Sequence, residues 1–170
     1  MDTKGHILTE FDDALTSLKK NTIAIGTLAQ KNLENALSGL TQRDTALCNQ
    51  VIADDEEVDQ LEMQIDNDSL QVMAKFRPFA SDLRMVISSM KITHNLERIS
   101  DHAVSIAKRS RKIIKNSEID EISYIEPAYH QALKMLQISL QSYSDSSTEL
   151  ALEVLSMDTD LSKSHKQATK

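Results

Sequence analysis

The amino-acid sequence predicts an all-α protein, with an antiparallel three-helix bundle over residues 1–116 and an incomplete second bundle over residues 117–170. The 170 residues include only three glycines and two prolines, so few positions interrupt a helix. Apolar residues also recur at alternating steps of three and four, which is the period of a helix with one buried face. We therefore do not expect β-strands.

The first predicted helix covers residues 6–40, because an apolar stripe runs without a break from Phe11 to Leu40. Gly39 is a candidate stop signal for this helix, and Asp44 is a candidate N-cap for the next one. The stripe of the second helix then continues to Phe76.

The third helix is predicted to begin near Phe79, since Pro78 suits the first position of a helix and disfavours helical backbone just before it. Its last turns, up to Lys115, are rich in Lys and Arg, which suit the negative end of a helix dipole. We therefore expect the second and third helices to form an antiparallel hairpin that turns at Pro78.

Two shorter helices are predicted in the second half of the chain, one at residues 122–143 and one that begins near Thr148. A weak internal repeat relates the two halves at an offset of 103 residues, pairing for instance Val51 with Val154 and Asp55 with Asp158. At this offset a counterpart of the third helix would begin beyond position 180, so the second copy is incomplete and ends in a polar tail, residues 162–170.

The apolar stripes of the fourth and fifth helices are expected to lack a third partner, because a three-helix bundle buries each helix against two others. Exposed apolar stripes of this kind favour association. We therefore predict a homodimer formed through these two helices, or else mobile fourth and fifth helices in a monomer.

Composition excludes several classes of protein. A formal net charge of −7 argues against nucleic acid as the main partner, since phosphate backbones require a basic surface. No apolar run approaches the 18 residues typical of a membrane span, so we expect no membrane insertion. The lone cysteine, Cys48, suits a reducing compartment, and we predict a cytoplasmic protein that reaches the inner membrane only through its partners.

An acidic segment at residues 54–68 carries eight carboxylates and no Lys or Arg. Asp55, Asp59, Glu62 and Asp66 share one face of the predicted second helix. Like charges at i and i+4 cost a helix about 0.2–0.5 kcal/mol per pair, so this face favours bound cations. The alternative interpretation is an ordinary solvated acidic face.

The third helix offers a matching pair, Glu97 and Asp101, with His94 one turn before them. In a hairpin that turns at Pro78, Asp55 lies level with Asp101, and Asp59 lies level with Glu97. Four facing carboxylates on two helices are typical of oxygen-rich metal sites, which take Mg, Mn or Fe. His94 is a candidate ligand or simply a surface or packed histidine.

At these residues the sequence resembles the PhoU family of phosphate-uptake regulators. The resemblance rests on the acidic helix at residues 51–62, the segment RPFASDLR at 77–84 and the segment LERISDHA at 96–103. It implies paired three-helix bundles and a multinuclear cluster of iron or zinc held by E/D-x-x-x-D motifs, which correspond here to Asp55, Asp59, Glu97 and Asp101. Further candidates for the site are Glu62, His94, Arg98 and Asp82, the last two as orienting or pairing groups.

The resemblance also implies a function in phosphate homeostasis. Proteins of this family are described as negative regulators that connect the ATPase of a phosphate ABC transporter with a sensor histidine kinase, and not as enzymes. Two departures matter. Ser100 replaces the usual glycine and is expected to place a side chain near the cluster, while Ser162 replaces the counterpart of Asp59, so no second metal site is expected.

Two other classes remain open from the sequence. A di-metal carboxylate enzyme would use Glu-x-x-His pairs, and this chain has none. A helical scaffold or metal-binding bundle without any role in phosphate regulation would have the same periodicity. Metal content separates a metal-binding regulator from a plain scaffold.

Overall fold

The computed structural model describes the backbone of residues 3–116 and 122–168, and the side chains of residues 9–116 and 125–158. Within these ranges the chain forms five helices and no strand, which confirms the predicted fold class. The helices are α1 (Thr3–Thr41), α2 (Thr45–Phe76), α3 (Ala80–Ile113), α4 (Ile122–Asp145) and α5 (Thr148–Ala168). No helix within the described part of the chain is both long enough and apolar enough to cross a bilayer.

The first three helices pack against one another in all three pairs. Their apolar stripes meet in a core in which Leu18, Ile25, Val58, Ile65 and Val86 are almost completely buried. Burial of an aliphatic side chain of this size stabilises a fold by about 1.5–3 kcal/mol. The three-helix bundle predicted from the stripes thus contains the main hydrophobic core of the described residues.

The turn between α1 and α2 corrects one prediction. Gly39 does not end the first helix, which continues to Thr41. A Cβ atom on Gly39 would lie 2.7 Å from Cys48 Sγ, so a side chain here would collide with the start of α2. The helix ends instead where Arg43 adopts a positive φ of 56°, and Asp44 caps α2 as predicted, its carboxylate accepting from the backbone N–H groups of Ala46 and Leu47.

The turn between α2 and α3 fixes the hairpin on which the acidic face depends. Arg77 ends α2 in the left-handed region and donates its backbone N–H to the Met73 carbonyl. Pro78 and Phe79 then lead directly into α3, which begins at Ala80. Since the connection is this short, α2 and α3 are antiparallel neighbours, and the acidic face of α2 runs beside α3.

The second half of the chain departs from prediction in two respects. The apolar stripe of the fourth helix is partly covered by a third helix, because α4 packs on α1 as well as on α5. Its Leu136 is buried, the Leu140 side chain occupies the space beside Gly26, and the Tyr129 hydroxyl donates to the Leu33 carbonyl. The segment predicted as a polar tail is helical up to Ala168, which follows from its lack of glycine and proline.

One buried polar contact ties α1 to α3. The side-chain amide of Asn32 donates to Ser100 Oγ at 3.0 Å, and both residues are fully buried. Ser100 therefore points into the bundle core, and the expectation that its side chain lies near the acidic cluster is wrong. The hydroxyl satisfies a buried donor that would otherwise have lost its hydrogen bond to water.

Replacement of Ser100 by alanine is expected to reduce the free energy of unfolding by about 1–3 kcal/mol, because the buried Asn32 amide would lose its acceptor. The Asn32 side-chain oxygen has no hydrogen-bond partner among the described residues, so the bond to Ser100 is the one hydrogen bond shown for this buried amide. Urea unfolding measures the change. Ser105→Ala is the matched control, since Ser105 is exposed on the same helix; equal effects of the two substitutions would contradict the role of this contact.

Candidate metal centre

The side chains of the acidic segment of α2 face two different helices. Asp54 turns toward α1, where its carboxylate pairs with Lys31 Nζ at 3.0 Å. Asp55, Asp59 and Glu62 lie on the side of α2 that faces α3, as the helical spacing predicts. Only the side chains that face α3 contribute to the surface on which a shared cation site was predicted.

The closest set of candidate ligands joins Glu62 of α2 to His94 and Glu97 of α3. His94 Nδ1 lies 3.3 Å from Glu62 Oε1 and 4.0 Å from Glu97 Oε2. One ligand atom from each of the three residues lies within 4.8 Å of the others. The two carboxylates are partly shielded, whereas the imidazole is about two-thirds exposed, so the group is open to solvent on the His94 side.

A second group of carboxylates continues the face toward the other end of the hairpin. Burial raises the pKa of the Asp55 carboxyl, and the nearby carboxylates of Asp59 and Asp101 raise it further. The positive charge of Lys108 lowers this pKa, but its effect is smaller. Burial also raises the pKa of Glu97, with added contributions from Asp101 and Glu62, while His94 lowers it. The side chain of Asp101 is also near enough to share a proton with Glu97 when one of the two is protonated, which raises the pKa of Glu97 further and connects the two groups.

These raised pKa values mean that the ionised cluster opposes folding when no cation is bound. An acid with a raised pKa binds its proton more tightly in the folded state than in the unfolded state. Stability therefore falls as the pH rises from the ordinary pKa of Asp55 and Glu97 to their raised values, and the loss persists at neutral pH. A bound cation would reverse the sign of this contribution, because it favours the charged form.

The remaining predicted residues lie at different distances from this face. Arg98 follows Glu97 directly and is exposed. Asp82 lies in the first turn of α3, where its backbone N–H donates to the Phe79 carbonyl. Fifteen residues of helix separate Asp82 from Glu97, or about 22 Å at 1.5 Å per residue, so the two carboxylates cannot share an ion.

The donor chemistry fits a metal ion. The three ligand atoms lie within 4.8 Å of one another. Two ligands at about 2.0–2.2 Å from one ion lie at most about 4.4 Å apart, so small side-chain rotations suffice to bring all three onto one ion. Two carboxylates with one imidazole suit zinc, iron or manganese. Among the described residues, no set of three ligand atoms as close as this includes the predicted ligands Asp55, Asp59 or Asp101. Sequence reasoning ranked Glu62 and His94 below the four carboxylates, although the hairpin register also places these two residues level with each other.

Comparison with known proteins identifies the family. The family model described as the PhoU domain matches residues 22–110. A Pseudomonas aeruginosa protein named phosphate-specific transport system accessory protein PhoU homolog is 32% identical over 165 residues, which cover 96% of this chain and 68% of that protein. The chain belongs to the PhoU family. A Pseudomonas putida PhoU homolog is also 32% identical, and the match covers 64% of its length.

Solved PhoU structures share the fold. The crystal structure of PhoU from Pseudomonas aeruginosa matches with a TM-score of 0.91 and 30% identity over 94% of this chain and 77% of that one. PhoU from Streptococcus pneumoniae matches with a TM-score of 0.85 and 26% identity, over 94% of this chain and 75% of that one. The whole candidate metal centre lies within the region that matches the PhoU domain. The chain spans about two thirds of the length of its curated PhoU relatives.

Proposed function

We propose that this protein is a negative regulator of phosphate uptake and of phosphate-regulon signalling, and that it binds metal on the acidic face shared by α2 and α3. Membership of the PhoU family carries this proposal, since its relatives are named accessory proteins of a phosphate-specific transport system. In this proposal the protein acts in the cytoplasm as an adaptor between the transporter ATPase and a sensor histidine kinase. It catalyses no reaction of its own.

The geometry supports metal binding as the second part of the proposal. Glu62, His94 and Glu97 offer three ligand atoms in one small region, and the carboxylates of Asp55, Asp59 and Asp101 extend it. A bound cation would supply positive charge that joins α2 to α3 along a face of concentrated negative charge. The partly shielded Glu62 and Glu97 would hold the ion, while the more exposed Asp59 and Asp101 remain accessible from solvent.

The mixed donor set guides the choice of metal. An imidazole nitrogen beside two carboxylates favours iron or zinc at Glu62, His94 and Glu97. Manganese or magnesium is the alternative where the aspartates alone provide oxygen ligands. A cluster of more than one ion would use both groups, with the connected pair of Glu97 and Asp101 between them.

Deletion of the gene, followed by a phosphate-regulon reporter assay in high phosphate, tests the regulatory function. We expect the deletion to release the reporter from repression and the wild-type gene to restore repression. Glu97→Gln is expected to restore it poorly, whereas Glu57→Gln, which removes an exposed carboxylate from the opposite side of α2, is expected to restore it fully. A reporter that stays repressed in the deletion strain would overturn the proposed function.

A further inference from the structure

The outer side of the α2–α3 hairpin, away from α1, carries apolar side chains that none of the described helices covers. Met63 and Leu70 of α2 are 59% and 55% exposed, and Ile87 of α3 is 39% exposed. Among the described helices, α2 packs only on α1 and α3, while α4 and α5 pack on each other and on α1. Grouped apolar side chains with a polar rim are typical of an interaction site.

The register of the hairpin brings these side chains to one place. Glu62 and His94 approach each other across the two helices. Leu70 lies eight residues after Glu62, and Ile87 lies seven residues before His94, so both are about 10–12 Å from this contact in the direction of the turn. Leu70 and Ile87 are therefore level with each other on neighbouring helices.

Acidic side chains alternate with the apolar ones along α2. Asp59, Met63, Asp66 and Leu70 follow one another at steps of four, three and four residues, so they form one row along the helix, and all four are exposed. Among the described residues, neither Asp59 nor Asp66 forms a salt bridge with Lys or Arg. This row and Ile87, together called the hairpin face, thus offer apolar contacts between uncompensated negative charges.

We propose that the hairpin face binds a basic amphipathic helix of another protein. Large apolar side chains of that helix cover Met63, Leu70 and Ile87, while its Lys and Arg side chains pair with Asp59 and Asp66. A partner helix also repeats its side chains at steps of three and four, so its apolar and basic residues can meet the row at every turn. Methionine suits such a surface, because its unbranched side chain adapts to different apolar partners.

Charge complementarity favours this occupant over an acidic helix or an anionic lipid surface. Either alternative would bring negative charge against Asp59 and Asp66, and like charges across an interface oppose binding. The net charge of −7 adds a long-range attraction for a basic segment. This inference does not depend on the proposed function in phosphate regulation.

Fluorescence anisotropy with labelled peptides tests the proposal on the full chain. The probe is a peptide of leucine and lysine, about 18 residues or five helical turns long, with the leucines on one face. A leucine–glutamate peptide of the same spacing is the control probe. A chelator is present, because a cation held by Glu62, His94 and Glu97 would reduce the negative charge beside the hairpin face. We expect saturable binding of the lysine peptide and none of the glutamate peptide.

Apolar variants locate the binding surface. The double substitution Met63→Ala with Leu70→Ala is expected to weaken binding of the lysine peptide by about tenfold, as loss of central apolar contacts does. Helix content is expected to stay unchanged, because both side chains are exposed. Leu152→Ala is the matched control and is expected to bind as wild type. Leu152 is 61% exposed on α5, next to Ala151 in the lining of an apolar groove between α3, α4 and α5.

A charge variant completes the test. Asp66→Asn is expected to weaken binding by about two- to fivefold and to reduce its salt dependence, as loss of one surface charge pair does. Asp12→Asn, at an exposed position of α1, is expected to have no effect. Absence of saturable binding, or equal binding of the two peptides, would overturn the proposal. It would also be overturned if the hairpin-face variants kept the wild-type affinity, because the peptide would then bind through net charge alone or at another surface.

Discussion

Zinc or ferrous iron added to metal-free protein is expected to raise the midpoint of thermal unfolding by about 5–10 °C. A ligand that binds only the folded state stabilises it by about 2.7 kcal/mol at a concentration one hundred times its Kd. In a domain of 150–250 residues, each kcal/mol corresponds to about 2–4 °C. Relief of repulsion among Asp55, Asp59, Glu97 and Asp101 is part of this gain, because the cation favours the charged forms that the raised pKa values oppose.

Substitutions on the acidic face separate loss of the site from loss of the fold. Glu97→Gln is expected to remove most of the metal-induced increase, yet to leave the metal-free protein as stable as wild type or slightly more stable, since one repelling carboxylate is gone. Glu57→Gln makes the same chemical change on the opposite side of α2 and is expected to preserve the increase. Calorimetry with and without metal measures both quantities, and equal metal-induced increases in the wild type and Glu97→Gln would refute the site.

Replacement of Ile65 by alanine is expected to reduce the free energy of unfolding by about 2–5 kcal/mol. Ile65 is completely buried in the main core, so the substitution loses apolar burial and leaves a cavity. The midpoint of thermal unfolding would fall by roughly 4–20 °C. Thermal and urea unfolding of the metal-free protein measure the change without any contribution from ligand binding.

Leu70→Ala provides the matched comparison for this substitution. Leu70 lies on the same helix five residues later, outside the apolar stripe, and is 55% exposed. Its replacement is expected to change the stability by no more than about 0.5 kcal/mol. Similar losses for the two substitutions would mean that the faces of α2 are not oriented as the structure shows.

The main features of the fold and of the site follow from local sequence patterns. The apolar stripes predict the three helices of the first bundle and their buried faces, because helical spacing alone decides which side chains share a face. The short connection at Pro78 makes α2 and α3 antiparallel, so facing positions can be counted outward from the turn. Asp59 and Glu97 are brought to the same level by this counting, without further tertiary information.

Other features depend on how the helices are rotated and spaced, which no single helix specifies. Asp54 pairs with Lys31 on α1, while its neighbour Asp55 joins the cluster beside α3. Glu62 and His94, which the sequence offers only as further candidates, lie close to Glu97 and form the candidate ligand group with it. Such distances are set by contacts between helices, because a small rotation of one helix moves a long side chain by several ångströms.

The sequence by itself determined the number and type of the helices, the hairpin register and the acidic face, since all of these depend on helical period and short connections. The tertiary structure alone decided that Ser100 points to Asn32, that Gly39 accommodates Cys48, and that α4 packs on α1 beside Gly26. It also decided that an open groove remains beside α5. These features arise where residues far apart in the chain meet, and close packing allows only the side chains that fit the space between the helices.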